Sequence, residues 1–110
     1  MAQEYPLNID SGEGLKFIFY YRQKTTHASL IPAGSTASMT LHDAAGIAAP
    51  VELTTESGHI VLDSGTGRFE VTIPRVEAAA LQFRQANYKT YLHRPDGTYK
   101  KLLVGVARKI

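Results

Sequence analysis

The residues of this chain that could do chemistry are four histidines and a single Ser-Gly-His triplet. His27, His42, His59 and His93 fall in four different segments, with no pair at the i, i+4 spacing that places two imidazoles on one helix face. Asp43 follows His42 and Asp63 lies four residues after His59, but neither spacing matches a metal-ligand pattern. Ser57-Gly58-His59 reads as a turn and lacks the G-x-S-x-G frame of a nucleophile elbow. "GTG" at 65–67 has no following G-K-[ST] and precedes a strand, where a phosphate loop needs a helix N-terminus. Gly65 and Gly67 are read instead as supplying positive φ in a hairpin. Ten scattered acids single out no acid–base pair. The expectation is a non-enzyme with no catalytic residue, no cofactor and no metal.

The elements that would carry these residues are strands. "YPLNI" (5–9) alternates, with Pro6 marking an edge or a strand start. "LKFIFYYR" (15–22) sets Leu15, Phe17, Phe19 and Tyr21 on one face and Lys16, Ile18, Tyr20 and Arg22 on the other. That second face is half apolar. After the polar loop 23–35, "TASMTLHD" (36–43) alternates Ala37, Met39 and Leu41 against polar residues. "VELTT" (51–55), "HIVLD" (59–63) and "RFEVTIP" (68–74) continue the period of two, with Val51, Leu53, Phe69, Val71 and Ile73 inward. "RVEAAALQF" (75–83) is the one helical segment, with Val76, Ala79, Ala80 and Phe83 on one side. "NYKTYLHR" (87–94) and "TYKKLLVGVAR" (98–108) flank "PDG", a strong short-range hairpin signal. Tyr88 and Tyr91 differ by an odd number, so one belongs to the core. Lys100 and Lys101 point oppositely unless a bulge intervenes.

The sum is an all-β domain spanning 1–110. It is expected to be an antiparallel two-sheet sandwich, immunoglobulin-like or jelly-roll-like, of about eight short strands and one short connecting helix near 75–83. A chain of 110 residues that is 44% hydrophobic can build one core. It has no cysteine, which removes disulfides, thiolate nucleophiles and cysteine-bearing zinc sites together. "MAQEYPLNIDSGEG" does not read as a signal peptide and no run is long enough for a membrane span, so a soluble protein made in the cytoplasm is expected, with no membrane partner. Charge is uneven. Residues 1–83 hold nine acids against five Lys and Arg; residues 84–110 hold seven Lys and Arg against Asp96 alone. Such asymmetry suits complementary protein surfaces, or a basic patch for a phosphate backbone.

Four segments carry a resemblance. They are "GEGLKFIF" (12–19), "ASMTL" (37–41), the Gly58–Pro74 block with its "G-x-F-x-V-x-I-P" end, and Tyr88–Gly105, with "YLHRPDGT" inside it. Together they resemble the small β-sandwich structural proteins of tailed bacteriophages, similar to the N-terminal domain of phage baseplate upper proteins. The chain departs from that group at "LIPAGS" (30–35) and at "YKTYL" (88–92). The resemblance implies a virion component, placed in the neck or collar, tail, baseplate or capsid surface. Such a component docks by protein–protein contacts on other virion proteins and is present as a homo-oligomer or in multiple copies. It brings no catalytic residues.

On the residues themselves, Ile18, Tyr20, Arg84, Lys100, Lys101, Arg108 and Lys109 are the partner-interface candidates, because aromatics, Arg and uncovered apolar side chains anchor interfaces. The alternative is a nucleic-acid-binding barrel that uses the basic C-terminal hairpin. A second alternative is a carbohydrate-binding module, served by six tyrosines but by no tryptophan. "VARKI" either extends as an arm or completes a strand.

Overall fold

A computed structural model of the chain describes residues 3–26 and 28–110; His27 lies outside the described residues. Two sheets face each other. The strands of the larger are β1 (Gln3–Glu4), β2 (Leu7–Ile9), β4 (Thr36–Asp43), β5 (Val51–Thr54), β8 (Gln85–His93) and β9 (Tyr99–Lys109). Its order is β1-β9-β8-β4-β5, with β2 following β1 along the same edge of β9. The smaller sheet has the order β3-β7-β6, built from β3 (Leu15–Tyr20), β6 (Ile60–Asp63) and β7 (Arg68–Ile73). The expected all-antiparallel arrangement needs correction. β1 and β2 both run parallel to β9, so the larger sheet is mixed, and the strands number nine among the described residues. Hairpin logic governs consecutive strands; here the first strands meet the last, about a hundred residues away, and no turn dictates their direction.

Pro6 separates β1 from β2 because it has no N–H for the ladder. Tyr5 N–H still reaches Val104 O at 2.9 Å, and Ile110 N–H reaches Ile9 O at 2.9 Å. The C-terminal residues therefore complete a strand.

The period of two sorts the side chains as expected. Met39, Leu41, Leu53, Leu92 and Ile9 from the larger sheet close on Phe69, Val71, Ile73 and Ile60 from the smaller. Each such burial is worth about 1.5–3 kcal/mol. The surface pairs Lys16–Glu70 (3.2 Å) and Arg68–Glu70 (3.3 Å) add at most about 1 kcal/mol each, so apolar burial sets the stability.

Three local expectations change. The helix α1 covers only Arg75–Ala79, and it buries Ala78 while Val76 is 76% exposed. A single turn offers one residue to the core, and Phe83 reaches the core from extended chain beyond it. Of Gly65 and Gly67, only Gly67 takes positive φ (76°); a Cβ there would stand 2.6 Å from Tyr21 O. Finally, Thr90 pairs with Leu103 while Tyr91 pairs with Lys101, which leaves Leu102 as a bulge residue. Leu102 and Leu103 are consequently both buried.

Tyr88 is the core tyrosine of the pair with Tyr91. Its ring is buried opposite Gly105, and its hydroxyl donates to the carbonyl of Tyr5. Burial, with Tyr5 adding a smaller effect, pushes that hydroxyl up to about 12.

Candidate functional site

The histidines come first, since they are where chemistry would start. His59 Nδ1 lies 2.7 Å from Ser57 Oγ and its Nε2 lies 2.8 Å from Glu77 Oε1. This Ser–His–Glu chain was not legible in the sequence, because Glu77 reaches His59 from α1, eighteen residues on. Ser57 Oγ accepts from Thr54 N–H (3.1 Å), and its one proton stands between Thr54 O (2.9 Å) and His59 Nδ1, so the hydroxyl is held within the turn between β5 and β6. The chain pins that turn to α1. His93 Nε2 makes a similar structural contact with Ser38 Oγ at 2.9 Å, and His42 is exposed.

The two aspartates closest to a ligand pattern are also committed. Asp43 accepts from Ala48 N–H (2.8 Å), Ala45 N–H (3.0 Å) and Ile47 N–H (3.2 Å). Asp63 accepts from Gly65 N–H at 2.9 Å. Among the described residues, no group of three or more His, Cys, Asp or Glu gathers as a metal ion would require.

These bonds carry a pH signature. The Ala48 amide, followed by those of Ala45 and Ile47, holds the Asp43 carboxyl below the ordinary aspartate value of 3.8. The Thr66 side chain and Gly65 amide do so for Asp63; the Thr98 side chain and amide do so for Asp96 in the β8–β9 turn. A depressed folded-state value means the stabilisation is complete above the unfolded value and is lost as pH falls through the folded one. Asp43→Asn keeps one acceptor oxygen and loses the other. Its melting temperature is expected to lie below wild type at neutral pH and to converge with it near pH 2, as thermal melts across that range would show.

The feature left over is a face. On the outer side of β3-β7-β6, Ile18 (37% exposed), Tyr20 (51%) and Val61 (57%) stand in solvent. The register puts Ile18, Glu70 and Val61 in one cross-strand row and Tyr20, Arg68 and Asp63 in the next. Glu70 is bridged by Lys16 and Arg68, and the Arg22 guanidinium sits 4.0 Å from the Tyr20 ring centre. The charged pairs therefore centre on the middle strand β7, and the apolar side chains of Ile18, Tyr20 and Val61 stand on the two strands that flank it. Alternation exposed Ile18 and Tyr20 in the sequence; Val61 joins them only through strand order.

Beside this face runs a groove of about 210 Å³, lined by Tyr5, Phe17, Ile18, Phe19, Tyr20 and Leu103. The rings of Tyr5 and Phe17 are 5.0 Å apart, those of Phe17 and Phe19 5.6 Å, and those of Phe19 and Phe69 4.5 Å. A line of aromatics therefore leads from the groove into the core. A larger open groove of about 660 Å³ is lined by Asp43, Ile47, Gln82, Phe83, Arg84 and Gln85, and its Asp43 carboxylate is taken up by the amides of its own loop.

The basic candidates separate. Lys100 and Lys101 are exposed at the start of β9, 5.8 Å from the Tyr21 ring and 6.0 Å from the Tyr91 ring respectively. They lie on opposite faces, since Lys100 pairs with buried Leu92 and Lys101 with outward Tyr91. Arg84, Arg108 and Lys109 lie at the other end, about 27 Å along the strand at ~3.4 Å per residue. Lys109 Nζ donates to Leu81 O (2.6 Å) and Ala79 O (3.1 Å), so it ties β9 to the segment before β8. No protein-family model and no curated protein matches the chain.

Proposed function

We propose that this protein is a non-enzymatic docking module, a structural component of a tailed-phage virion, which binds other virion proteins through the outer face of β3-β7-β6. The observation that carries the docking reading is the exposure of Ile18, Tyr20 and Val61, in two neighbouring rows of one sheet face. A single exposed apolar residue is ordinary; three on one small sheet face, either side of a charged middle strand, are a surface with something to cover. The place in a virion, whether neck, tail, baseplate or capsid surface, rests on the resemblance of the four sequence segments. The nucleic-acid reading is weaker, because Lys100 lies on the opposite face from Lys101, and the basic residues that do share the outer face, Lys101, Lys89 and Arg108, are spread along the whole hairpin, where a phosphate backbone needs a close-set track.

The test uses purified particles of the phage that encodes the protein. Labelled wild-type protein is expected to sediment with particles and to stay bound as salt rises from about 0.1 to about 0.5 M, because apolar contact is not screened. Val61→Lys, a change at an exposed position, is expected to leave the melting temperature within about 2 °C of wild type and to weaken particle binding roughly tenfold or more. Equal binding by wild type and variant would remove this face from the contact. Binding lost steeply with salt would point to a charged partner instead.

A further inference from the structure

Among the described residues, β3 is an edge strand with no partner strand along its outer edge, and the chain just beyond each end carries a bridge there, Asp10–Gly14 before it and Arg22–Ser29 after it. It pairs only with β7, and Tyr21 N–H donates to Gly67 O in the same ladder. Hydrogen-bonded and non-bonded pairs alternate along an antiparallel ladder, so Leu15, Phe17 and Phe19 turn their backbone groups to β7. Lys16, Ile18 and Tyr20 turn theirs outward. β7 shows the same parity from its other side, where Thr72 N–H donates to His59 O. Five of its six residues are apolar or aromatic, Lys16 being the one charge, and it has neither bulge nor proline: an edge that invites a partner strand.

We infer that β3 pairs antiparallel with β3 of a second copy of this chain about a two-fold axis at Ile18, joining the two small sheets into one six-stranded sheet. This deepens the docking reading, since the joined sheet doubles the exposed face. The strand is complementary to itself. With Ile18 opposite Ile18 of the second copy, Lys16 stands opposite Tyr20 and Phe17 opposite Phe19, every residue meeting one on its own face. The outward N–H and C=O groups of Lys16, Ile18 and Tyr20 then make about six bonds between the copies. A shift of one residue would set inner against outer side chains. Centring on Phe17 instead would leave Tyr20 facing the Asp10–Gly14 turn, where Gly14 N–H is already bonded to Asp10 O at 2.7 Å.

Charge favours the same partner. Asp10 and Glu13 precede β3; Arg22 and Lys24 follow it. Antiparallel self-pairing brings the acidic end of each copy to the basic end of the other, and no like charges fall directly opposite within the strand. A stable contact buries upward of about 1,000 Å² in total. The groove supplies area beyond the strand pair, because the partly exposed rings of Phe17 and Phe19, with Tyr5 and Leu103, flank the edge that would be covered.

Native mass over a concentration series tests the pairing. Wild type is expected to dimerise. Ile18→Lys and Ile18→Glu each place like charges against themselves at the axis, and each is expected to raise the dissociation constant about tenfold or more. Mixing the two variants is expected to restore a dimer, which a misfolded chain would not do. The chain has no cysteine, so Ile18→Cys introduces one thiol that oxidised glutathione is expected to join to its copy; Val61→Cys is expected to remain uncrosslinked. A wild type that stays monomeric throughout, variants that dimerise as well as wild type, or a mixture that does not recover would each overturn the pairing. Val61→Lys keeps the two readings apart: it is expected to lose particle binding and keep the dimer.

Discussion

Gly105→Ala is expected to destabilise the protein by about 2–6 kcal/mol, a large part of the roughly 5–15 kcal/mol that holds a domain folded. A Cβ at this position would collide with Tyr5 O and would stand 3.0 Å from Tyr5 C and 3.1 Å from Tyr88 Cε2. Two of those atoms are backbone and cannot swing aside. The segment around Tyr5 must lift from β9, which breaks the bond from Tyr5 N–H to Val104 O and removes the acceptor of the Tyr88 hydroxyl. Overpacking costs about 1–3 kcal/mol, and a buried hydroxyl without a partner a further ~1–3 kcal/mol. Urea denaturation would measure the loss; a change under about 1 kcal/mol would show that this approach of strand to strand is not tight. Tyr88→Phe in the same background should be less than additive, because both changes act on Tyr5 O. Displacing Tyr5 also takes its ring from Phe17, opening the groove beside β3.

Phe69→Ala is expected to cost about 3–5 kcal/mol. The side chain is wholly buried on β7, the middle strand of the small sheet, and its ring stacks on Phe19 at 4.5 Å. Its removal leaves a cavity under both β3 and β6, and the neighbouring rings cannot collapse into it without moving the sheet. Particle binding and self-association should therefore fall together with stability, although Phe69 touches no partner. Val61→Lys is the contrast, with binding lost at nearly unchanged stability. A Phe69→Ala protein as stable as wild type would mean that the two sheets are not closed on one another as described.

Much of this architecture is written locally. The alternation in "TASMTLHD" marks the strand Thr36–Asp43 and its inner face, and "RFEVTI" does the same for Arg68–Ile73. "PDG" marks the last hairpin, closed by Arg94 N–H to Thr98 O at 2.8 Å. The helix face was misread because an Ala-rich run carries helical propensity but says nothing of how few turns the packing will admit. The adjacent buried leucines, Leu102 and Leu103, contradict a strict period of two, and only the pairing with Tyr91 and Thr90 reveals the bulge. Two of the three exposed apolar residues on the outer face were legible, Ile18 and Tyr20. Val61 and the His59–Glu77 contact were not, since each depends on a neighbour distant in sequence.

The amino-acid sequence by itself determined an all-β domain, the inner and outer side of most strands, and an apolar outer row on its strongest strand. A strand's two-residue period is a property of a few consecutive residues, so it survives reading in isolation. Only the tertiary structure decided that β1 and β2 run parallel to β9, that β7 lies between β3 and β6, and that, among the described residues, no strand pairs with the outer edge of β3. Strand order follows from which edges remain after local hairpins have closed and which apolar faces must then be covered, and no short stretch of residues encodes that competition.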